Sequence, residues 1–235
     1  MNFAIVLTGC IKVNTNFVAL TDENKRKQDY LNSIKYYTKF APVYFIENST
    51  YDIKNDKDFR NIDNLIIYKA KPSKFFDKGK GFQTFEMIDS FVKNQIDLPK
   101  SFLIITGRYI IENIKEVIDD CINEKDNELI IDVYKRSKLA VAYMLYVTES
   151  FYKNNLLDIY KQADDSKGIH IEHVLYNKLI YTNYNYRMFL CAHSIMGKRG
   201  TDNNAFKKKS KWGLLWRKWS RMFIYYIKKD RYLPQ

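Results

Sequence analysis

Little in this chain breaks or staples a backbone: its 235 residues hold 8 Gly, 4 Pro and 3 Cys. The cysteines Cys10, Cys121 and Cys191 are odd in number and lack a CxxC spacing, which excludes a disulfide framework and a thiolate metal site and leads us to expect a reducing cytosol. No run of 18 uninterrupted apolar residues is present to span a bilayer as a helix. The start, after Asn2, reads as a strand without the basic flank and longer apolar run of a secretion signal. A soluble or peripheral protein is expected. Sparse Gly and Pro, with 46% hydrophobic and 28% charged residues, exclude a disordered chain and provide core enough for one α/β domain or one and a half. The 19 Tyr and 15 Phe supply large side chains that can pack, stack or hydrogen-bond.

Charge is unevenly placed. Of the net +12, residues 207 to 235 carry +9, which leaves +3 for all that precedes them. The chain therefore divides at the compositional shift into an α/β region, 1 to 204, and a basic tail, 205 to 235. The tail has helical amphipathicity. Trp212, Leu215, Trp216, Trp219, Met222, Phe223 and Tyr226 share one face, with Arg217, Lys218, Arg221 and Lys228 largely opposite, although Leu214, Ile224 and Tyr225 blur the division. A Trp-rich face backed by Lys and Arg fits a helix lying in a membrane interface, with Trp212, Trp216, Trp219, Arg217, Lys218 and Arg221 as contacts to an anionic surface. The protein's own core and nucleic acid are the competing partners, nucleic acid the less favoured.

Before the tail, apolar runs alternate with helical patterns. FAIVLT at 3 to 8 reads as a buried parallel strand closed by Thr8-Gly9, where a ligand could approach the backbone. A surface helix is expected from Glu23 to Phe40. Strands follow at 43 to 49 and 65 to 70, then a helix built on Phe82, Phe85, Met87, Ile88, Phe91 and Val92. Residues 101 to 106 form another strand, a helix runs from Asn113 through Cys121, and 128 to 134 is a strand. The stretch 139 to 152 fits a strand up to Thr148 and a helix after it. Residues 187 to 194 read as the last core strand. This order predicts a mostly parallel α/β sheet with right-handed crossovers.

Three turns carry candidate chemistry. The strand 101 to 106 ends in Thr106-Gly107-Arg108-Tyr109, at the strand terminus where open α/β sheets bind ligands; a plain core strand and turn is the alternative. KGKG at 78 to 81 opens a helix, where glycines admit close approach and the helix start favours an anion beside Lys78 and Lys80; an exposed basic turn is the alternative. A second basic turn, with Lys198 and Arg199, follows 187 to 194 and could meet a diphosphate from the opposite side of a cleft, or serve as a linker. His170 and His173 are three apart in GIHIEH, but two His without an HExxH pattern do not make a zinc site.

The order FAIVLTG, VYFIENS, KGKGF before a helix, FLIITGRYII and GIHIEH resembles bacterial GT-A-type glycosyltransferases of capsule or lipooligosaccharide synthesis, over about residues 2 to 200. The resemblance implies a Rossmann-like nucleotide-binding sheet, a nucleotide-sugar donor and a saccharide or glycolipid acceptor at the inner face of the cytoplasmic membrane. It places Thr8, Gly9 and Glu47 near base and ribose; by charge and turn position, Lys78, Lys80, Gly81, Thr106, Gly107, Tyr109, Lys198 and Arg199 are expected along the rest of the donor, and His193 could add a hydrogen bond there or be a core histidine at a strand end. Most such enzymes hold Mn²⁺ or Mg²⁺ on an Asp-x-Asp motif at the central strand end. Here that end is Thr106-Gly107-Arg108-Tyr109, so no metal cofactor is expected and Arg108 takes over the electrostatic task. The resemblance also implies an inverting transfer with Glu172 as base, and with His170 or His173 orienting it or replacing it.

Overall fold

The computed structural model describes residues 2–13, 18–123, 127–182, 184, 186–198, 204–206 and 210–228, with the side chains of the last segment described from 212 to 223. The elements in chain order are β1 (Phe3–Gly9), α1 (Glu23–Tyr37), β2 (Val43–Glu47), α2 (Lys57–Arg60), β3 (Leu65–Lys69), α3 (Gly79–Asn94), β4 (Ser101–Thr106) and β5 (Ile110–Ile111). They continue with α4 (Ile114–Ile122), β6 (Leu129–Tyr134), β7 (Leu139–Thr148), α5 (Glu149–Phe151), α6 (Ile171–Ile180), β8 (Tyr186–Arg187), β9 (Ile195–Met196) and α7 (Lys211–Lys228).

Seven strands form one sheet in the order β3-β2-β1-β4-β7-β6-β8. Its β3, β2, β1 and β4 are parallel neighbours, whereas β7 runs antiparallel to both β4 and β6. The fold is the expected α/β class with a mostly parallel central sheet flanked by helices. Alternation along β1 and β2 splits the core in two, because successive side chains leave opposite faces. Ala4, Val6, Tyr44 and Ile46 pack with α3 and α6 on one face; Ile5, Leu7, Val43 and Phe45 pack with α1 and α4 on the other. Each such buried aliphatic side chain contributes about 1.5–3 kcal/mol.

Local signals set the helix starts and stops. Asp22 caps α1, its carboxylate accepting the Lys25 amide at 3.0 Å. The helix stops at Tyr37, three residues short of Phe40, which is exposed. The run 139 to 152 resolves as strand to Thr148 and helix from Glu149.

One strand expectation fails. Of residues 187 to 194, only Arg187 lies in a strand of the sheet, as the last residue of β8. Beyond it, side chains meet the backbone amides: Asp132 accepts from Phe189 (3.3 Å), Asp120 from Leu190 (2.8 Å) and Asn113 from Ser194 (3.0 Å). Arg187 is buried against Asp120 (Nη2 to Oδ1 2.9 Å). An apolar run whose amides are satisfied this way has no need of a ladder.

Candidate active site

Strands β1, β2 and β4 end on one side of the sheet, and the starts of α3 and α6 face them across a cleft of about 210 Å³. Thr8, Gly9, Lys80, Gly81, Thr106, Arg108, Tyr109 and Glu172 all line it. Of the residues singled out in the sequence, these are the ones the fold brings together.

The turn after β4 is built from α1. Tyr109 donates its amide to the Thr106 carbonyl (2.9 Å), and Gly107 donates to Thr8 (2.9 Å). Ser33 bonds the Gly107 carbonyl, and Tyr37 donates to the Tyr109 carbonyl (2.9 Å) while accepting the Ile111 amide (2.8 Å). A Cβ on Gly107 would meet the Thr8 carbonyl at 2.6 Å, so that glycine serves close packing beneath the cleft and does not line it. The braced turn points Arg108 into the cleft. Its side chain is 6% exposed, and Nη1 has no hydrogen-bond partner among the described residues; Asp29 stands 3.5 Å off, at ion-pair range only.

Two more buried polar atoms in this lining lack partners among the described residues: Asn48 Oδ1, just past β2, and Gln83 Nε2, on α3. Neither residue was expected from the sequence, where Glu47 stood in the place of Asn48. Glu47 is wholly buried beneath the cleft, accepting from Ile11 (3.1 Å), from the amide (3.0 Å) and hydroxyl of Ser49, and from Lys69. It ties the loops after β1 and β2 to β3, so its oxygens are engaged in the fold. The one-residue offset reverses the side-chain direction.

Arg26 and Tyr30 of α1 also reach the lining. Arg26 donates to the carbonyls of Cys10 (2.7 Å) and Leu20 (3.0 Å) and to Tyr30 Oη (3.0 Å), which fixes the loop after β1. Burial pushes the phenols of Tyr30 and Tyr143, another lining residue, above their ordinary range. Both stay neutral near pH 7.

On the opposite wall, the helix starts interlock through KGKG. A Cβ on Gly79 (φ +89°) would fall 1.9 Å from Asp165 Oδ2, and one on Gly81 would fall 2.7 Å from Ile171 Cγ2. Asp165 also pairs with His170 (Oδ1 to Nδ1 3.0 Å), the N-cap of α6. The glycines therefore seat the segment carrying Glu172. Lys80 and Glu172 face the cleft, while Lys78 sits 4.9 Å over the rings of Phe75 and Phe82. His173 is exposed and outside the lining.

Of the residues expected from the second basic side, His193 and Lys198 are absent from the described lining of this cleft. His193 packs on Phe189 (centroids 4.7 Å), 4.0 Å from Asp132, and Lys198 bridges to Ala205. Arg199 lies outside the described residues. Phe206, just beyond that bridge, packs on the cleft-wall rings Tyr109 (5.0 Å) and Tyr143 (6.4 Å). Of the expected membrane contacts, Arg221 instead turns inward to Asp132 (Nη2 to Oδ2 3.0 Å), Phe189 O (2.7 Å) and Cys191 O (3.3 Å). Lys218 faces Glu116 at 3.7 Å, whereas Trp212, Trp216, Trp219 and Arg217 are exposed.

Charges in the described lining are Arg26, Lys80 and Arg108 against one carboxylate, Glu172. This donor set does not fit a divalent cation, which needs several converging hard oxygen ligands. It fits a polyanion.

No protein-family model matches the sequence, and no curated protein matches it. Solved structures do share its fold. A protein from Desulfovibrio desulfuricans G20 described as a nucleotide-diphospho-sugar transferase superposes with a TM-score of 0.50 at 9% identity, over 80% of each chain. The glycosyltransferase GlyE of Streptococcus pneumoniae TIGR4 gives 0.49 at 10% identity, over 80% of this chain and 45% of that one. TarS of S. aureus, solved with UDP-GlcNAc, gives 0.46 at 15% identity, over 80% and 58%. The chain spans about half the length of those last two. At such identities the likeness is one of fold.

Proposed function

We propose that the protein is a glycosyltransferase that moves a sugar from a nucleotide-sugar donor to a saccharide or glycolipid acceptor, by inversion and without a divalent metal. The observation that carries this reading is the buried Arg108 side chain, in the lining of a cleft at the carboxyl ends of parallel strands, whose Nη1 has no hydrogen-bond partner among the described residues and only the Asp29 carboxylate at ion-pair range. A buried cationic donor left open is costly unless a ligand completes it, and a diphosphate supplies the matching oxygens.

The nucleoside lies along Thr8, Gly9 and Asn48, and the diphosphate meets Arg108 and Lys80. Glu172 takes the proton of an acceptor hydroxyl as that oxygen attacks the anomeric carbon. The anomeric C–O bond to the diphosphate breaks with its electron pair going to the leaving group, and Arg108 and Lys80 stabilise the charge that develops there. One direct displacement inverts the anomeric centre. His170, held by Asp165, orients the start of α6 and thereby Glu172. The acceptor belongs to cell-surface polysaccharide or lipooligosaccharide assembly at the inner face of the cytoplasmic membrane.

The test incubates the protein with a panel of nucleotide sugars, with and without saccharide acceptors, and measures released nucleoside diphosphate in EDTA and in Mn²⁺. Release that survives EDTA and is lost in Arg108→Ala is expected. Activity abolished by EDTA and restored by Mn²⁺ refutes the metal-free account, and binding without release across the panel favours a non-catalytic nucleotide-binding protein.

A further inference from the structure

Helix α7 meets the rest of the protein through the side that its amphipathic pattern marks as polar. Arg221 projects inward to Asp132 and to two carbonyls, and Lys218 faces Glu116. At 3.6 residues per turn, Trp212, Trp216, Trp219 and Phe223 fall within about 60° of one another, and Arg221 lies roughly opposite them. That stripe faces away from the protein: Trp212 is 82% exposed, Trp216 78%, Trp219 69% and Phe223 66%. Leu215, 47% exposed, widens it.

An aromatic stripe of this extent has a small set of occupants: the protein's own core, a second copy, a nucleic acid or a lipid surface. The core is excluded by the orientation, because α7 is latched by the opposite side. Charge selects among the rest. Residues 207 to 235 carry +9, with a Lys-Lys-Lys run at 207 to 209 just before the helix. Two copies meeting through these helices would bring the two basic segments together. Nucleic acid would be gripped through cationic side chains, yet Arg221 is committed to Asp132. An anionic bilayer suits both features, since Trp rings settle at the interface while flanking Lys and Arg attract the headgroups. No described helix is long and apolar enough to cross a membrane, so the helix lies on the surface.

We infer that α7 is an interfacial docking helix for anionic membrane, latched to the protein by Arg221 and Asp132 so that the stripe Trp212–Trp216–Trp219–Phe223 faces the lipid. The inference deepens the location given in the proposed function. It is independent of the transfer chemistry, because lipid binding and nucleotide release are measured separately.

All three tryptophans of the protein lie in this helix, so tryptophan emission, excited selectively over the 19 tyrosines, reports on it alone. The full chain is titrated with vesicles of phosphatidylglycerol and phosphatidylcholine, and with phosphatidylcholine alone, with flotation as the second readout. Anionic vesicles are expected to shift the emission to the blue, shield the indoles from acrylamide and float the protein, with the effect weakened by salt. Trp216→Ala/Trp219→Ala should weaken flotation by about tenfold or more, because two large apolar side chains no longer enter the interface. An unshifted emission with anionic vesicles overturns the inference. So does tryptophan-dependent dimerisation in the absence of lipid, or tryptophan quenching by a single-stranded oligonucleotide at concentrations below those at which vesicles act. Loss of vesicle binding with donor cleavage intact would refute the docking role alone; vesicle binding with no donor cleavage would refute the transferase reading alone.

Discussion

Alanine at the two glycines of KGKG separates a packing role from a ligand-approach role. Gly81 lies in the first turn of α3, and Gly→Ala in a helix ordinarily gains about 1 kcal/mol. Here the new methyl would fall 2.7 Å from Ile171 Cγ2 and 3.1 Å from Ile171 Cβ. A relaxed carbon contact is about 3.5–4.0 Å, so the start of α6 must retreat by roughly 1 Å. Overpacking of that kind costs about 1–3 kcal/mol, which outweighs the helical gain and leaves Gly81→Ala neutral to about 2 kcal/mol less stable. Gly79→Ala should cost more. Its backbone (φ +89°, ψ 175°) is nearly glycine-only, a strain of about 1–3 kcal/mol. The methyl would also expel the Asp165 carboxylate, whose bond to His170 adds about 1 kcal/mol. The assay is urea denaturation of Gly81→Ala, Gly79→Ala, Ile171→Ala and Gly81→Ala/Ile171→Ala. In the double variant the methyl occupies space vacated by Ile171, so its cost should fall below the sum of the single variants by about 1 kcal/mol or more. Unchanged stability in Gly81→Ala, with pyrophosphate binding lost, would show that the glycine serves the ligand and would refute the packing argument.

Three other outcomes follow from the geometry. Arg108→Ala should weaken pyrophosphate binding by calorimetry by about tenfold to a hundredfold, the value of a charge-assisted hydrogen bond; equal affinity would remove Arg108 from the anion site. Glu172→Gln should lower turnover by about 10²–10⁴ with donor affinity retained, and near-normal turnover would exclude it as the base. The Asp56 carboxyl is raised by desolvation but lowered further by the Lys27 ammonium (2.6 Å), the Tyr51 hydroxyl and the Asp58 amide, and ends below its ordinary value. A depressed folded-state pKa contributes stability above the unfolded value, lost as pH falls through the folded one, so Lys27→Met should flatten the acid limb of a stability-pH curve below about pH 4; an unaltered limb would exclude the pair.

The central sheet was legible because strands buried on both faces read as continuous apolar runs, and β1, β2, β4 and β6 are such runs. The cleft's location followed from where those strands end. What failed depended on partners distant in sequence. The run 187 to 194 has a strand's composition, and nothing local announces that Asp120, Asp132 and Asn113 will satisfy its amides. Arg221 looked like a lipid contact for the same reason, since Asp132 is 89 residues away. Arg26 and Tyr30 were readable only as parts of a surface helix and its core face. Their grip on Cys10 depends on how α1 crosses the end of β1.

The adjacent pair Glu47 and Asn48 shows how a site can be told from the scaffold beneath it. Glu47 is the stronger functional candidate by chemistry, a buried carboxylate at a strand end, yet an amide, a hydroxyl and an ammonium already answer its oxygens. Displacing any of these for a ligand would cost about as much as the ligand returned. Asn48 is chemically weaker, but its Oδ1 is buried with no partner among the described residues, as are Gln83 Nε2 and Arg108 Nη1 in the same cleft. An unmet buried polar group costs about 1–3 kcal/mol, and Asn48, Gln83 and Arg108, the last with only the Asp29 carboxylate 3.5 Å from its Nη1, place such groups on three residues that line one cavity. Two of the three are donors, one of them cationic, and one is an acceptor. On the function proposed above, the phosphate oxygens of a nucleoside diphosphate would answer the Arg108 and Gln83 donors, and a sugar hydroxyl or base N–H would answer Asn48.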